Sequence, residues 1–318
     1  MSSLANLIRN ENMKIYRRPR TWAMVGILIL ALALMSGVMK WDASKKDHTD
    51  WKQDLSQQIV SMQSNLDKDP NMGQEQRAWW TEQIKLNQYY LDHDLNPRAM
   101  TPWSYVNNSA SLIILVTILT VIIAADMIAA EFSWGTIKLL LVGPASRTKV
   151  MLAKYIATMM FALLLLLVSF AVAFSLGSVL EGFNGLNLPH LAVGTDGVVH
   201  EGSMIVDSLQ KYGYSVVSLL MYVTMAFMIS AAFRSSSMAI AFSLLFMLVG
   251  NTLSGLLSGY QWVKYLLFSN IDLTQYLEGA HPLRPEMTLG FSIGMLAAYY
   301  VVFQLVAWLL FTRRDVAA

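Results

Sequence analysis

The chain alternates between long apolar runs and shorter polar stretches, and the apolar runs determine its organisation. Six runs hold about 20 or more residues with few charges, enough for a helix to cross a hydrocarbon core of about 30 Å. The runs are 21–39, 109–130, 154–180, 214–233, 238–257 and 287–311. We therefore predict an all-α membrane protein with six transmembrane helices. A β-barrel would instead show weak segments of about ten alternating residues.

Composition supports this class. The chain is 55% hydrophobic and only 14% charged, whereas a soluble domain carries about 25% charged residues. The sequence contains no cysteine, which excludes disulfides, thiol nucleophiles and thiolate metal sites. The first apolar run is too long for the core of a signal peptide and lacks a small-residue cleavage site, so we interpret it as a span.

Residues 1–20 combine basic side chains with apolar residues on one helical face. The basic residues are Arg9, Lys14, Arg17, Arg18 and Arg20, beside the single acid Glu11. One interpretation is an amphipathic connecting helix on an anionic inner leaflet, with Arg17, Arg18 and Arg20 at the headgroups. The other is a simple basic flag before the first span. Both place the N-terminus in the cytoplasm.

A polar segment, 40–104, separates the first two runs and carries two apolar stripes at helical spacing. The first stripe is Leu55, Ile59, Met62 and Leu66, and the second is Trp80, Ile84 and Leu91. A turn signal at 69–73 lies between them. We predict an extracytoplasmic helical hairpin whose aromatic residues serve its own packing. The remaining outer segments are a loop at 181–213 and a segment, 258–287, whose apolar patch 263–268 suggests a re-entrant or interfacial helix.

The distribution of basic residues predicts orientation. Twelve Lys and Arg lie in the short stretches that this topology places inside, against three in the short outer loops. The long hairpin is exempt from this comparison. We predict a multi-pass plasma-membrane protein with both termini cytoplasmic, a five-span bundle at 105–311 after the hairpin, and a tail at 312–318.

Few polar groups fall within the runs. Asp126 lies near the inner end of the second run, and Asn251 is a candidate intramembrane polar group. A carboxylate at the bilayer centre costs about 2.5–3.5 kcal/mol, but near the inner end Asp126 can reach water or a basic partner. Ion-coupled transporters usually hold ionisable groups near midplane, so this sequence disfavours that class.

Several catalytic signatures are missing from the sequence. It contains no G-x-x-x-x-G-K-[ST] phosphate loop, no H-E-x-x-H and no G-x-S-x-G elbow. We therefore expect no enzymatic activity in this chain. The five histidines, His48, His93, His190, His200 and His281, all fall in predicted outer segments. We interpret them as solvated and expect no metal site; a pairing of His48 with His93 across the hairpin is the weaker alternative.

The stretch 131–154, between the second and third runs, is too elaborate for a simple turn. Gly135-Thr136 permits a change of chain direction and a cap for a new helix, and Gly143-Pro144 stops that helix. Glu131 and Lys154 bracket the stretch and are expected to pair at the inner interface. The pattern fits either an amphipathic connector at the membrane surface or a docking element for a partner protein.

The run from Glu131 to Arg147 reads E-x-x-x-G-T-I-K-x-L-L-x-x-P-x-S-R. It resembles the signature segment of exporter-type (type-2) ABC transporter permeases. The large outer hairpin makes the layout similar to bacterial permeases of antimicrobial-peptide resistance and immunity. The resemblance implies a type V exporter fold with a coupling helix in 131–154. It assigns ATPase docking to Glu131, Gly135, Thr136, Lys138, Leu139, Leu140, Pro144, Ser146 and Arg147.

The resemblance also implies how the protein works. Two permease chains, identical or paralogous, would bind two copies of a separate ATPase, and that partner would hold ATP and Mg²⁺. This chain would bind no cofactor directly and no nucleic acid, and it would contact membrane lipid. Because no charged ring lines the spans, the expected cargo is amphipathic or lipid-like, such as a peptide antibiotic or a lipid. The alternative is a membrane sensor or scaffold whose outer hairpin binds a ligand and whose link relays the signal.

Overall fold

The described residues contain six helices whose length and composition suit a membrane span. The computed structural model describes residues 3–46, 50–68, 73–137, 145–183, 185–194 and 196–313. The six long helices are α2 (Pro19–Lys46), α6 (Ile113–Ser133), α7 (Arg147–Glu181), α8 (Met204–Ala232), α9 (Ser236–Leu256) and α11 (Leu289–Arg313). Their length and apolar character confirm the prediction of a helical, multi-span membrane protein.

Shorter elements complete the chain. They are α1 (Leu4–Tyr16), α3 (Trp51–Lys68), α4 (Gln74–Asp92), α5 (Pro102–Ser109), the strands β1 (Pro189–Val193) and β2 (Val199–Ser203), and α10 (Leu267–Asn270). One tight turn, Ala110–Leu112, joins α5 to α6. We call the end of the bundle that carries α1 and the α8–α9 turn the basic end. The opposite end, with α3 and α4, is the hairpin end.

Three of the long helices, α2, α7 and α8, extend well beyond the apolar runs that predict them. Helix α7 begins at Arg147, seven residues before the third run, because the hydroxyl of Ser146 caps it by accepting from the amide of Lys149 at 3.4 Å. Its 35 residues span about 50 Å, more than the roughly 30 Å of a hydrocarbon core. An apolar run therefore marks the part of a helix that suits lipid and leaves its polar ends unmarked.

Helices α6 and α8 form the centre of the bundle. Val116, Val121 and Ala124 on α6 and Val223 and Phe227 on α8 are fully buried. The hydroxyl of Ser230 on α8 also lies 3.0 Å from the amides of Ile128 and Ala129. The peripheral helix α2 instead buries a narrow stripe, formed by Thr21, Leu28, Leu32 and Ser36. Most of α6 is buried, so this helix packs against several of the others and forms the centre of the bundle.

Helix α1 packs along the first turns of α7. Ile15 is buried there, and the Tyr16 and Phe161 rings meet edge to face at 6.1 Å. A tight elbow then leads into α2, where the hydroxyl of Thr21 donates to the carbonyl of Ile15 at 2.6 Å. The indole of Trp22 donates to the carbonyl of Tyr16 at 2.9 Å. These bonds use the free carbonyls at the end of α1 and fix its angle to α2.

The predicted outer hairpin is present as α3 packed on α4. Leu55 and Ile84 are buried between the helices, and the other members of both predicted stripes are at least half-buried. Of the predicted turn, 69–72 lie outside the described residues, and Gly73 immediately precedes α4. The helical pairing is therefore confirmed for the residues that the structure describes, and the extracytoplasmic position of the hairpin stays a prediction.

Two segments that were predicted to lie outside differ from their predictions in secondary structure. The loop at 181–213 contains the antiparallel pair β1–β2, with Leu191 opposite Glu201, so the all-α description holds for the bundle but not for this loop.

In 258–287 the patch forms a tight turn at Gln261–Tyr265 and the single-turn helix α10, both too short for a re-entrant helix. Val263, Leu267 and Ile271 are buried, so the patch serves packing.

Candidate functional site

Helix α6 carries two carboxylates at the basic end, and both are buried. Asp126 and Glu131 stand five residues apart and are 2% and 8% exposed. Basic groups from elsewhere in the chain surround each of them. Because a buried ionised carboxylate is tolerated only with charged or hydrogen-bonding partners, these partners locate a site built by several helices. We call the set Glu11, Lys14, Arg18, Arg20, Asp126, Glu131 and Lys154 the charge cluster.

Glu131 joins α1, α6 and α7. The ammonium of Lys154 on α7 lies 2.7 Å from Glu131 Oε1 and 2.9 Å from Glu11 Oε2 on α1. Lys14 completes the group, with its ammonium 2.9 Å from Glu11 and 3.2 Å from Glu131. The expected pairing of Glu131 with Lys154 is thus confirmed, and α1 supplies a second acid and a second base.

Asp126 joins the α1–α2 elbow to α9. Arg18 donates from Nη1 to Asp126 Oδ2 at 2.9 Å, and Arg20 also donates to this oxygen. The other carboxylate oxygen accepts from the hydroxyl of Ser236, in the first turn of α9. Of the two environments expected for Asp126, the structure provides the basic partner.

The cluster is closely packed and electrically nearly balanced. Its three acids face four bases, and the space left among them is about 10 Å³, less than one water molecule requires. Burial disfavours the charged form of Lys14, but Glu11 and Glu131 outweigh this effect and raise its pKa above the usual value. Lys14 is therefore a stable cation at neutral pH.

The start of the predicted coupling segment is anchored to this cluster. The hydroxyl of Thr136 donates to the carboxylate of Glu131. Gly135 adopts φ +70°, a left-handed conformation that side chains with a Cβ rarely adopt, and this confirms the predicted change of chain direction. Glu131, Gly135 and Thr136 therefore lie together at one place, where α6 ends.

The end of the segment is attached to a different helix. Ser146 caps α7, and the Arg147 guanidinium donates to the carbonyl of Thr312 at the end of α11, at 2.8 Å. The indole of Trp308 on α11 donates to Thr148 at 3.1 Å. The four remaining predicted docking residues, Lys138, Leu139, Leu140 and Pro144, lie outside the described residues.

The three predicted membrane anchors are divided between two environments. Arg18 and Arg20 are engaged by Asp126, an assignment that the sequence did not suggest. Arg17 is exposed directly after the end of α1, and no acid pairs with it among the residues that the structure describes. Headgroup contact remains a prediction for all three.

Asn251 lines a second feature, a cleft of about 430 Å³ between α6, α8 and α9. Its amide donates to the hydroxyl of Tyr222 at 2.8 Å. The cleft opens towards the hairpin end, where Lys211 pairs with Asp207 at 2.8 Å. Its polar lining is Asn107, Ser111, Thr117, Lys211, Ser215, Ser218, Tyr222, Asn251, Asp272 and Thr274.

Four histidines are described, and all lie at the hairpin end. His200 pairs with Asp196 at 3.0 Å, His281 lies 3.5 Å from Glu82, and His93 stacks on Tyr89. The pKa of Asp196 is lowered by the amide of Val198 and then by His200. Among the described residues no three His, Asp or Glu are grouped as metal ligands. His48 lies outside the described residues.

Sequence reasoning missed the role of Glu11 and Lys14. Both were counted as charges of an amphipathic helix, but their partners Glu131 and Lys154 are more than 100 residues away in sequence. Glu11 was detectable in one respect, because it is the single acid among five bases in residues 1–20. An acid at that position on a basic helix indicates a buried basic partner.

Comparison with known proteins gives two related sequences. The chain is 39% identical over 317 residues to the Bacillus subtilis (strain 168) Uncharacterized protein YhcI, covering 99% of this chain and 100% of that protein. It is 32% identical over 214 residues to the Uncharacterized membrane protein YdbK of the same organism, covering 67% and 82%. With its apolar helices, this likeness supports a multi-pass membrane protein. A family model described as Protein of unknown function (DUF2705) matches residues 74–317, and the chain therefore belongs to this family.

Proposed function

We propose that the chain is the membrane-spanning subunit of an ATP-driven ABC exporter. A separate ATPase chain, in two copies, would bind ATP and Mg²⁺ and would dock on the segment between α6 and α7. A second permease chain, identical or paralogous, would complete the assembly in the plasma membrane, with both termini cytoplasmic. The chain itself would carry out no hydrolysis.

One observation carries the proposal: both described ends of the docking segment are fastened to the bundle. Glu131 ties the start to α1 and α7, and Arg147 ties the end to α11. A partner that displaced this segment would therefore act on four helices together. Such a connection is needed if nucleotide binding is to favour one conformation of the bundle, because energy enters only through differential binding to two states.

The cleft beside Asn251 supports an amphipathic cargo. Apolar residues such as Ile113, Ile114 and Met247 form part of its wall, and amide, hydroxyl and charged groups form the rest. A site of this composition suits a ligand with a hydrocarbon part and a hydrogen-bonding headgroup. We propose that cargo passes through this cleft.

The docking proposal predicts that an ATPase is encoded beside this gene, and copurification of the chain with that ATPase tests it. Lys138→Glu with Arg147→Glu should weaken the complex at least about tenfold, since tenfold requires only about 1.4 kcal/mol. Because Arg147 also binds Thr312, thermal stability must be measured in parallel. Lys149→Glu, an exposed charge reversal two residues further along α7, is the matched control. Unchanged copurification of the double variant would contradict docking there.

The sensor or scaffold function has one observation in its favour. At the hairpin end α4, the β1–β2 turn and residues 275–282 enclose a cavity of about 650 Å³. The hairpin is held to the sheet by Lys85, which donates to the carbonyl of Gly197 at 2.7 Å, and by Tyr89, which donates to Glu201 at 3.1 Å. An external ligand could thus bind where three outer segments meet.

Deletion of residues 45–100 separates the two functions. The exporter proposal expects ATPase binding to survive and cargo handling to change. If the chain is instead a sensor, the deletion should abolish the response to an external ligand. A sensor has no nucleotide-driven transport for the deletion to change. Failure of the deleted protein to assemble with the ATPase would count against the exporter proposal as stated.

A further inference from the structure

The basic residues of the N-terminal segment divide into two groups that face different partners. Lys14, Arg18 and Arg20 are in the charge cluster. Arg9 and Arg17 point away from it and, among the described residues, neither has an acidic partner. Arginines without an acidic partner, held in place by a helix that packs against a span, can bind an anion from outside the chain.

Both arginines line one groove. The groove has a volume of about 520 Å³ and lies between α1 and α7, with the lining residues Ala5, Ile8, Arg9, Asn12, Met13, Tyr16, Arg17 and Met160. The α1 members recur three or four residues apart, so they form one face of the helix. Arg9 and Arg17 stand two turns apart, and apolar side chains lie between and beside them.

The floor of the groove is apolar and adaptable. Met13 and Met160 are 40% and 49% exposed, and methionine side chains fit irregular hydrocarbon shapes well. The groove also lies near the expected membrane surface, because α2 begins its crossing directly after α1 and carries an exposed Trp22 in its first turn, a residue type enriched at that level.

A polar atom at the bottom of the groove lacks a partner. The amide nitrogen of Asn12 donates to the sulfur of Met160 at 3.4 Å, but Asn12 Oδ1 is buried without a hydrogen bond among the described residues. A buried unsatisfied acceptor costs about 1–3 kcal/mol. A ligand that supplied a hydroxyl here would remove that cost.

From these features we infer that the groove between α1 and α7 is a binding site for an anionic phospholipid with a hydroxyl-bearing headgroup. Arg9 and Arg17 hold the phosphate, a headgroup hydroxyl donates to Asn12, and an acyl chain lies on Met13 and Met160. This inference does not depend on the exporter proposal, because it concerns only α1 and the first turns of α7.

Native mass spectrometry of the full chain in a neutral detergent tests the site. The probes are phosphatidylglycerol and phosphatidylcholine of equal chain length, added separately, with inorganic phosphate as a competitor. The protein should retain phosphatidylglycerol selectively, and phosphate should not displace it. Equal retention of the two lipids, or displacement by inorganic phosphate alone, would overturn the inference.

Variants distinguish binding in this groove from nonspecific attraction between basic residues and an anionic lipid. Arg9→Gln with Arg17→Gln should weaken phosphatidylglycerol retention about 30-fold, since each basic residue near a membrane surface contributes about fivefold. Neither arginine takes part in an ion pair among the described residues, so the variant should fold normally.

Asn12→Leu leaves all charges in place and should still weaken retention several-fold. Lys149→Gln, at the same end of the bundle, should have no effect; an equal loss in this control, or none in Asn12→Leu, would contradict the site.

Discussion

Two ion pairs at opposite ends of the bundle have almost the same length and very different surroundings. Lys154 lies 2.7 Å from Glu131 at the basic end, and its side chain is 2% exposed. Lys52 lies 2.6 Å from Asp94 at the hairpin end, where the side chains are 50% and 74% exposed. Distance alone would rank the two pairs as equal. Burial separates them, because removing one member of a buried pair leaves the other charge without solvent.

The difference bears on the role of each end. The basic end holds its charges in fixed positions that join α1, α6, α7 and the start of the predicted docking segment. The hairpin end also carries exposed pairs, such as Lys52–Asp94, that water can replace. A region that transmits displacement should be rigid, whereas a surface loop can exchange partners at little cost. The following predictions test this contrast, from the largest expected effect to the smallest.

Removing the shared base should cause the greatest loss. Lys154→Met leaves Glu11 and Glu131 with the half-exposed Lys14 as their one remaining ion-pair partner among the described residues, so we expect a loss of about 3–5 kcal/mol in unfolding free energy. Thermal unfolding in detergent measures it. The control replaces Glu11 and Glu131 by Leu together with Lys154→Met and should recover most of the loss. A single variant as stable as the parent would contradict a rigid basic end.

Removing Asp126 should cost less. Arg18 and Arg20 are 26% and 36% exposed, so they can turn towards water or lipid phosphate when the carboxylate is lost. Asp126→Ala should therefore lower the unfolding free energy by about 2 kcal/mol, the usual range for hydrogen bonds to a charged group. Asp126→Asn keeps an acceptor for Ser236, so its unfolding free energy should lie between those of the parent and Asp126→Ala. The same unfolding assay applies, and a loss larger than that of Lys154→Met would reverse the proposed order.

The exposed pair should contribute least. Lys52→Ala should change the unfolding free energy by no more than about 0.5 kcal/mol, because solvent and salt screen an exposed pair. The difference between parent and variant should disappear in about 1 M salt, where the screening length is about 3 Å. A loss above about 1 kcal/mol would show that distance, rather than burial, governs these pairs.

The sequence predicted the parts of the protein that depend on local pattern. The six spans follow from the length of apolar runs, and the α3–α4 hairpin from its two stripes. The pairing of Glu131 with Lys154 was predictable because both residues flank one short segment. Glu11 was not predictable as their partner, since its approach depends on how α1 packs on α7, and no local pattern encodes that distance.

The β1–β2 sheet was missed for a different reason. Its strands have five residues each, and the polar His200-Glu201-Gly202 in β2 gives no clear alternation. The turn did carry a signal: Asp196-Gly197 is typical of hairpin turns, and Gly197 adopts φ +74°. The cleft beside Asn251 could not be predicted either, because its lining comes from several separate segments of the chain.

Cysteine cross-linking at the predicted docking segment tests the central claim most directly. The chain has no native cysteine, so Ser146→Cys introduces a unique thiol on an exposed residue at the start of α7. With a linker that carries a maleimide and a photoreactive group, which needs no thiol on the partner, this variant should cross-link to the proposed ATPase in membranes, and the yield should change on addition of ATP. Ser56→Cys on α3, at the hairpin end, should give no such product. Labelling of Ser146→Cys from outside intact cells, or equal yields at the two positions, would contradict the account.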